Sequence, residues 1–291
     1  MNKNDAILFM DSDEELWWTD AEKLKCEVIS MPYVLDNRLI DYWLGKGFDG
    51  KDFFDRMRKG SVPTTCALNT EDYLKYFSPV FEKGKDIFYI HFSNKLSSTF
   101  KSLNMAIDEL KVKFPARKIV LFDTLSISCG AGSLVWDMGK MFNDGKEVDE
   151  IIKYGQEHFK NYVEIFTVSD LKYLRRGGRL TTVQAFMGSI LNIKPLIKIT
   201  NEGELKKTAQ VNGRKKSISY LVSYFKDRVM DIENHQVFIL HADCENDATY
   251  FLNKLKAIFP NINARIQIIG PTVGSHCGPD TLGIAFYGKE R

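Results

Sequence analysis

The sequence predicts an α/β fold of two domains, a parallel sheet with flanking helices in the N-terminal half and a mixed-sheet α/β domain in the C-terminal half. Three observations lead there. A length of 291 residues exceeds what a single core usually organises. Short apolar runs alternate with amphipathic stretches along most of the chain. A composition of 44% apolar against 27% charged residues is that of a globular chain with enough apolar material for a sizeable core. The boundary is placed near residue 163, dividing the chain into 1–163 and 164–291.

Ala6 to Met10 is a short buried strand stopped by the acidic turn Asp11-Ser12-Asp13-Glu14-Glu15, and Cys26 to Met31 is a second strand. Asp52 to Lys59 reads as a short polar helix. Thr70, with Glu71 or Asp72 behind it, opens a helix over Glu71 to Lys83 in the manner of a capping box. Asp86 to His91 is a strand, Ser98 to Phe114 an amphipathic helix, and Lys118 to Phe122 the next strand, running into Asp123-Thr124. Helices follow at Gly130 to Asn143 and Lys153 to Tyr162. Strands separated by helices at this spacing argue for a parallel sheet with ligand groups at the strand C-termini.

In the second segment, Ile165 to Val168 is a strand and Leu171 to Leu174 a helical turn, followed by the basic glycine loop Arg175-Arg176-Gly177-Gly178-Arg179. Phe186 to Leu191 is an apolar helix end. Lys194 to Thr200 and Glu204 to Val211 form strands around the Asn201-Glu202-Gly203 turn. Helices over Ser217 to Asp231 and Glu245 to Ile258 alternate with strands over Gln236 to His241, Ala264 to Ile269 and Gly283 to Tyr287. Between the last two strands, Gly270 to Gly283 holds four glycines and two prolines. That composition predicts a loop of fixed geometry rather than a helix, aiming His276.

Composition also narrows the function. Forty basic and 38 acidic residues are interspersed, for a net charge of +2, which points to neither nucleic acid nor an anionic membrane surface. Cys26, Cys66, Cys129, Cys244 and Cys277 are scattered, without a Cys-x-x-Cys pair, so no disulfide framework or zinc site is readable and a reducing cytoplasm is expected. The N-terminal apolar run is too short and too acidic in its flanks for a signal peptide. No stretch is long enough to span a membrane.

Asp11-x-Asp13 after an apolar strand admits a magnesium-dependent phosphatase or hydrolase, with one carboxylate as nucleophile and the other as acid and base. Glu15 stands where such sites carry a hydroxyl or β-branched residue, and no downstream Asp pair completes a cage; an acidic turn is the plainer reading. Ser97 and Ser98 stand where a helix opens, as N-caps or as part of an anion-binding helix N-terminus. Thr65 lies in the Pro-stiffened loop Ser61 to Cys66. His276 and Cys277 are adjacent and so point apart, which argues against thiol catalysis. The basic runs at Arg175 to Arg179 and Arg214 to Lys216 are solvated loops by default.

Taken in order, Asp11-Ser12, Pro63-x-Thr65, Leu96-Ser97-x-Thr99-Phe100, Asp123-Thr124, Leu171-Lys172-Tyr173-Leu174-Arg175-Arg176-Gly177-Gly178-Arg179-Leu180, Ile193-Lys194-Pro195-Leu196 and Gly274-x-His276-x-Gly278-Pro279 resemble the DegV family of bacterial fatty-acid-binding proteins, which includes the binding subunit of fatty acid kinase. The resemblance runs the length of the chain. It implies a protein that holds a long-chain fatty acid, tail in the C-terminal domain and carboxyl at the domain interface, with the Gly270 to Gly283 loop returning to that interface. It carries the carboxyl-binding roles onto Thr65, Ser97 and His276, with Ser98, Asp11, Ser12 and Gly274 as supporting residues. Phe186, Ile190, Leu191, Ile193 and Leu196 are most simply core by their apolarity and are also candidates for the acyl pocket, and Arg176, Arg179 and Arg214 are candidates for contacts to phosphate or a partner. A separate ATP-dependent kinase subunit would phosphorylate the presented carboxyl, so that this chain is no enzyme itself, needs no metal or cofactor, and meets a membrane at most transiently. The sequence departs from the family at Ser98, where Gly is usual, and at Cys66-Ala67-Leu68-Asn69, which is less polar than usual. A small-molecule kinase component with a polar ligand is the remaining alternative.

Overall fold

The computed structural model describes residues 1–179 and 192–291. The first segment runs β1 (Ala6–Asp11), α1 (Trp18–Leu24), β2 (Glu27–Ile29), β3 (Tyr33–Leu35), β4 (Arg38–Ile40), α2 (Gly50–Arg58), β5 (Thr64–Thr65), α3 (Thr70–Glu82), β6 (Asp86–His91), α4 (Thr99–Lys113), β7 (Ile119–Asp123), α5 (Ser128–Asn143) and α6 (Val148–His158). The second runs β8 (Tyr162–Thr167), α7 (Lys172–Arg176), β9 (Ile193–Ile199), β10 (Leu205–Asn212), α8 (Arg214–Arg228), β11 (Val237–His241), α9 (Glu245–Ile258), β12 (Ala264–Ile268), α10 (Pro271–Cys277) and β13 (Leu282–Tyr287).

Strands β2-β1-β6-β7 form a sheet in that order, parallel throughout. Helices cover it on both sides, so β1 and β6 are apolar on both faces; only Ile7 and Asp86 in them are less than fully buried. Helix α3 begins one residue earlier than expected. Its cap is Asn69, whose side chain accepts from the Asp72 N–H at 3.0 Å while Asp72 accepts from the Asn69 N–H at 3.1 Å. Helix α1 and the three strands of the small antiparallel sheet β4-β3-β5 were not expected.

The second sheet runs β10-β9-β8-β13-β11-β12, antiparallel except for the β11–β12 pair. Its two faces feed different cores. Phe166, Ile197, Phe238 and Leu240 join a cluster that also holds Leu8, Met10, Phe88 and Leu134 of the first segment. Ile165, Leu196, Ile239 and Ile284 point the other way, under α8 and α9. The period-2 alternation of strands thus makes one face of this sheet the floor of an interface with the first segment.

The segment after β12 corrects the sequence reading. Residues Pro271 to Cys277 are helical despite their glycines. Pro271 sits at the helix start, where its missing N–H costs nothing, and Gly274 lets α10 lie against α2, because a Cβ there would stand 2.8 Å from Phe54 Cζ. Gly278, at φ +80°, ends the helix.

Candidate functional site

A cavity of about 320 Å³ lies between the two segments, lined by residues of both. Its wall is largely apolar, with Met31, Phe92, Leu96 and Ile127 from the first segment and Phe166, Leu174, Leu205, Leu240, Ile269 and Val273 from the second. Thr65, Ser97 and His276 all line it.

Each of the three is placed by different local structure. Thr65 lies on β5, held by pairing with Tyr33 of β3, so that Thr64 is exposed and Thr65 turns inward. His276 sits in the last turn of α10. Thr65 Oγ1 and His276 Nε2 are 3.1 Å apart, a hydrogen bond that joins the segments. Ser97 precedes α4; its Oγ accepts from the Thr99 N–H at 3.2 Å and keeps its own proton to donate. Ser98 is exposed at the start of α4 with φ −81°, a conformation open to any L-residue, and its side chain makes no capping bond.

Burial first, and the nearby Arg179 charge second, push His276 down to about 4. The imidazole is therefore neutral near pH 7. Its Nδ1 is buried and unpartnered among the described residues, facing Gly177, where a Cβ would stand 2.0 Å away.

Arg179 also lines the cavity. Its Nε and Nη2 both donate to the Leu96 carbonyl, at 3.0 and 2.8 Å, and Nη1 donates to the Gly177 carbonyl. It thereby fastens the Ser97 loop to the loop beside His276. The other two arginines stand elsewhere. Arg176 is exposed and stacks over Tyr173, 5.2 Å from the ring centroid, while Arg214 pairs with Asp247 at 2.8 Å and touches Cys244 Sγ. Neither borders the cavity.

The acidic turn is a buried support. Asp11 accepts from the Asp13 N–H at 3.0 Å and from the Phe92 N–H and Tyr89 hydroxyl at 3.2 Å each. Burial holds its carboxyl well above the usual range, and three donors already engage its oxygens, which leaves Asp11 poorly placed to attack a phosphate. Ser12 Oγ accepts from the Met31 N–H at 2.9 Å. Glu15 accepts from the Gly270 N–H at 2.6 Å and from Ser128, and anchors the start of α10. Among the described residues, no three His, Cys, Asp or Glu side chains are grouped to hold a metal ion, and no helix is long and apolar enough to cross a membrane.

Of the residues expected along an acyl pocket, Leu196 belongs to the core on the far face of the second sheet and Ile193 lies at the start of β9; neither borders the cavity. Phe186, Ile190 and Leu191 lie outside the described residues. The lining residues that sequence reasoning missed include Phe166, Leu240 and the carboxyl of Glu164, and Asp13, singled out only as a candidate phosphatase or hydrolase carboxylate, lines the cavity as well. Glu164 carried a signal: it is the one charged residue in the run Tyr162 to Val168.

The DegV family's sequence profile, described as that of uncharacterised proteins, matches residues 7–289. A DegV domain-containing protein of Clostridium perfringens is 32% identical over 285 residues, 98% of each chain. Among solved structures, a DegV lipid-binding protein from Thermotoga maritima superimposes with a TM-score of 0.80 at 26% identity, covering 99% of both chains. Another Thermotoga maritima protein, described as revealing a fatty acid binding function, gives 0.79 at 25% identity, covering 98% of this chain and 99% of that one. A fatty-acid-binding DegV protein from Thermus thermophilus, at 24% identity, shares the fold with a TM-score of 0.83 over 98% of this chain and all of that one. With a matching profile over nearly its whole length and a relative of this similarity, the chain belongs to the DegV family.

Proposed function

We propose that this chain binds one long-chain fatty acid, with the tail in the cavity between its segments and the carboxyl at Thr65, Ser97 and His276, and presents that carboxyl to a separate ATP-dependent kinase subunit. The observation that carries the reading is the convergence of three polar side chains, from β5, the loop before α4 and α10, on one mainly apolar cavity. Fatty acid binding by one relative of the same fold and lipid binding by another support the ligand class.

The energetics divide the labour. Burying about fifteen methylene groups yields on the order of 12 kcal/mol before association costs. The tail supplies affinity; the polar groups keep the carboxyl from being buried without partners and fix its direction. A neutral His276 contributes a hydrogen bond and Arg179 the nearest positive charge, which favours an ionised carboxyl. In the transfer step a carboxylate oxygen attacks the γ-phosphorus of ATP, the bond to the β-phosphate oxygen breaks, and acyl phosphate and ADP result. Among the described residues that line the cavity there is no glycine-rich run to cradle a phosphate, which fits a nucleotide carried by the partner.

The test is to load the purified chain with palmitate, add ATP, magnesium and an ATP-binding kinase subunit from the same cell, and trap acyl phosphate as the hydroxamate. Hydroxamate that requires both proteins is expected. Turnover by this chain alone, or none with any such subunit despite bound palmitate, would overturn the presenter role.

A further inference from the structure

An unsubstituted alkyl tail leaves part of the cavity wall unexplained. Asp13 and Glu164 both line it, 5% and 4% exposed, among apolar neighbours such as Phe166, Ile269 and Val273. Asp13 Oδ1 is buried and has no hydrogen-bond partner among the described residues. Glu164 Oε2 accepts from the Gly130 N–H at 2.7 Å, the only hydrogen bond recorded for its side chain among the described residues. Against methylene groups alone, an unpartnered carboxyl oxygen forfeits a hydrogen bond that water would have supplied.

The two carboxyls reach the cavity from different elements, Asp13 from the turn after β1 and Glu164 from β8. Among the described residues they belong to no group of three His, Cys, Asp or Glu side chains that could hold a metal ion. Burial raises each to about 8, so near pH 7 they are mostly neutral acids. A neutral carboxyl both donates and accepts, as a hydroxyl does.

We propose that the cavity selects a long-chain acid bearing a hydroxyl on its chain, with Asp13 as the hydroxyl's first partner and Glu164 as a second. This rests on the fatty-acid reading above and narrows it to a substrate class.

The experiment is a competition at pH 7 in which stearate and a set of monohydroxystearates, with the hydroxyl moved along the chain, displace the fluorescent acid parinarate from the full chain. At least one positional isomer is expected to bind roughly tenfold tighter than stearate, the worth of one buried hydrogen bond. Asp13→Leu is expected to reverse that order in favour of stearate, and Asp13→Asn to keep it. Stearate binding as tightly as every isomer on the unaltered chain overturns the proposal and leaves the fatty-acid reading standing, whatever the stability of the variants. Failure of parinarate, stearate and all isomers to bind overturns both.

Discussion

Thr65 Oγ1 and His276 Nε2 meet at 3.1 Å across 211 positions of sequence. The bond closes the space between β5 and the end of α10, and it fixes which way the imidazole faces. Either group can donate, so the pair can adjust its protons to a bound carboxyl.

Because the two side chains are bonded, their removal should not be additive. Thr65→Val and His276→Ala are each expected to weaken palmitate binding by roughly 3- to 10-fold. The double variant is expected to lose less than the product of the two. Calorimetric titration of the four proteins checks this. His276→Ala should reduce acyl phosphate formation with the kinase partner more than it reduces binding; equal losses would count against a role in aiming the carboxyl.

Gly177 is expected to be the positioning residue for that histidine. A methyl group at 177 would stand 2.0 Å from His276 Nδ1, whereas one at Gly178 meets nothing within 4 Å. Gly177→Ala should therefore raise the Kd for palmitate about as much as His276→Ala does. Gly178→Ala should cost ~1 kcal/mol of stability, from its φ of +71°, with little change in Kd. Similar Kd values for both variants would remove the argument.

Arg179 holds the Ser97 loop by a two-pronged grip on one carbonyl. Lysine cannot reproduce that fork. Arg179→Lys is expected to keep the positive charge but lose several-fold in palmitate affinity, and to raise hydrogen exchange in the segment from Asn94 to Ser98. Unchanged exchange there would show that the loop is held by other contacts.

The buried acids set the pH dependence of stability. Burial pushes Asp13 and Glu164 up to about 8 and Glu15 to about 7, above their unfolded values of about 4. The native chain thus holds more protons than the unfolded chain across that interval, and stability is lost as pH rises through the folded values. His276 works in the opposite sense: its contribution is present above the ordinary 6.5 and lost as pH falls through about 4. Between pH 6.5 and 8.5 the acids dominate, so the Tm of the ligand-free chain should fall. Glu164→Gln should flatten that fall, and a Tm that rises over the interval would contradict the assignment.

How much of this was legible in the sequence depended on how local the cause was. β1 and β6 are apolar on both faces and could be read as buried parallel strands from a few residues each. α10 could not be read, because its tolerance of Gly274 comes from Phe54, far away in the chain. Apolarity alone does not separate Leu196, in the core on the far face, from Ile197, one position of strand alternation away and in the interface cluster. Arg179 looked like a free cation in a basic loop, and its partner is a backbone carbonyl that no sequence pattern marks. Thr65, Ser97 and His276 came from a family resemblance, and the structure places all three on one cavity.

The most direct measurement is native mass spectrometry of the purified chain, before and after extraction with organic solvent, with the extract identified by mass. The account predicts one long-chain acid per chain, released intact by the solvent and restored by adding palmitate. A chain that carries no lipid and takes up none, or that releases a small polar compound instead, would contradict it.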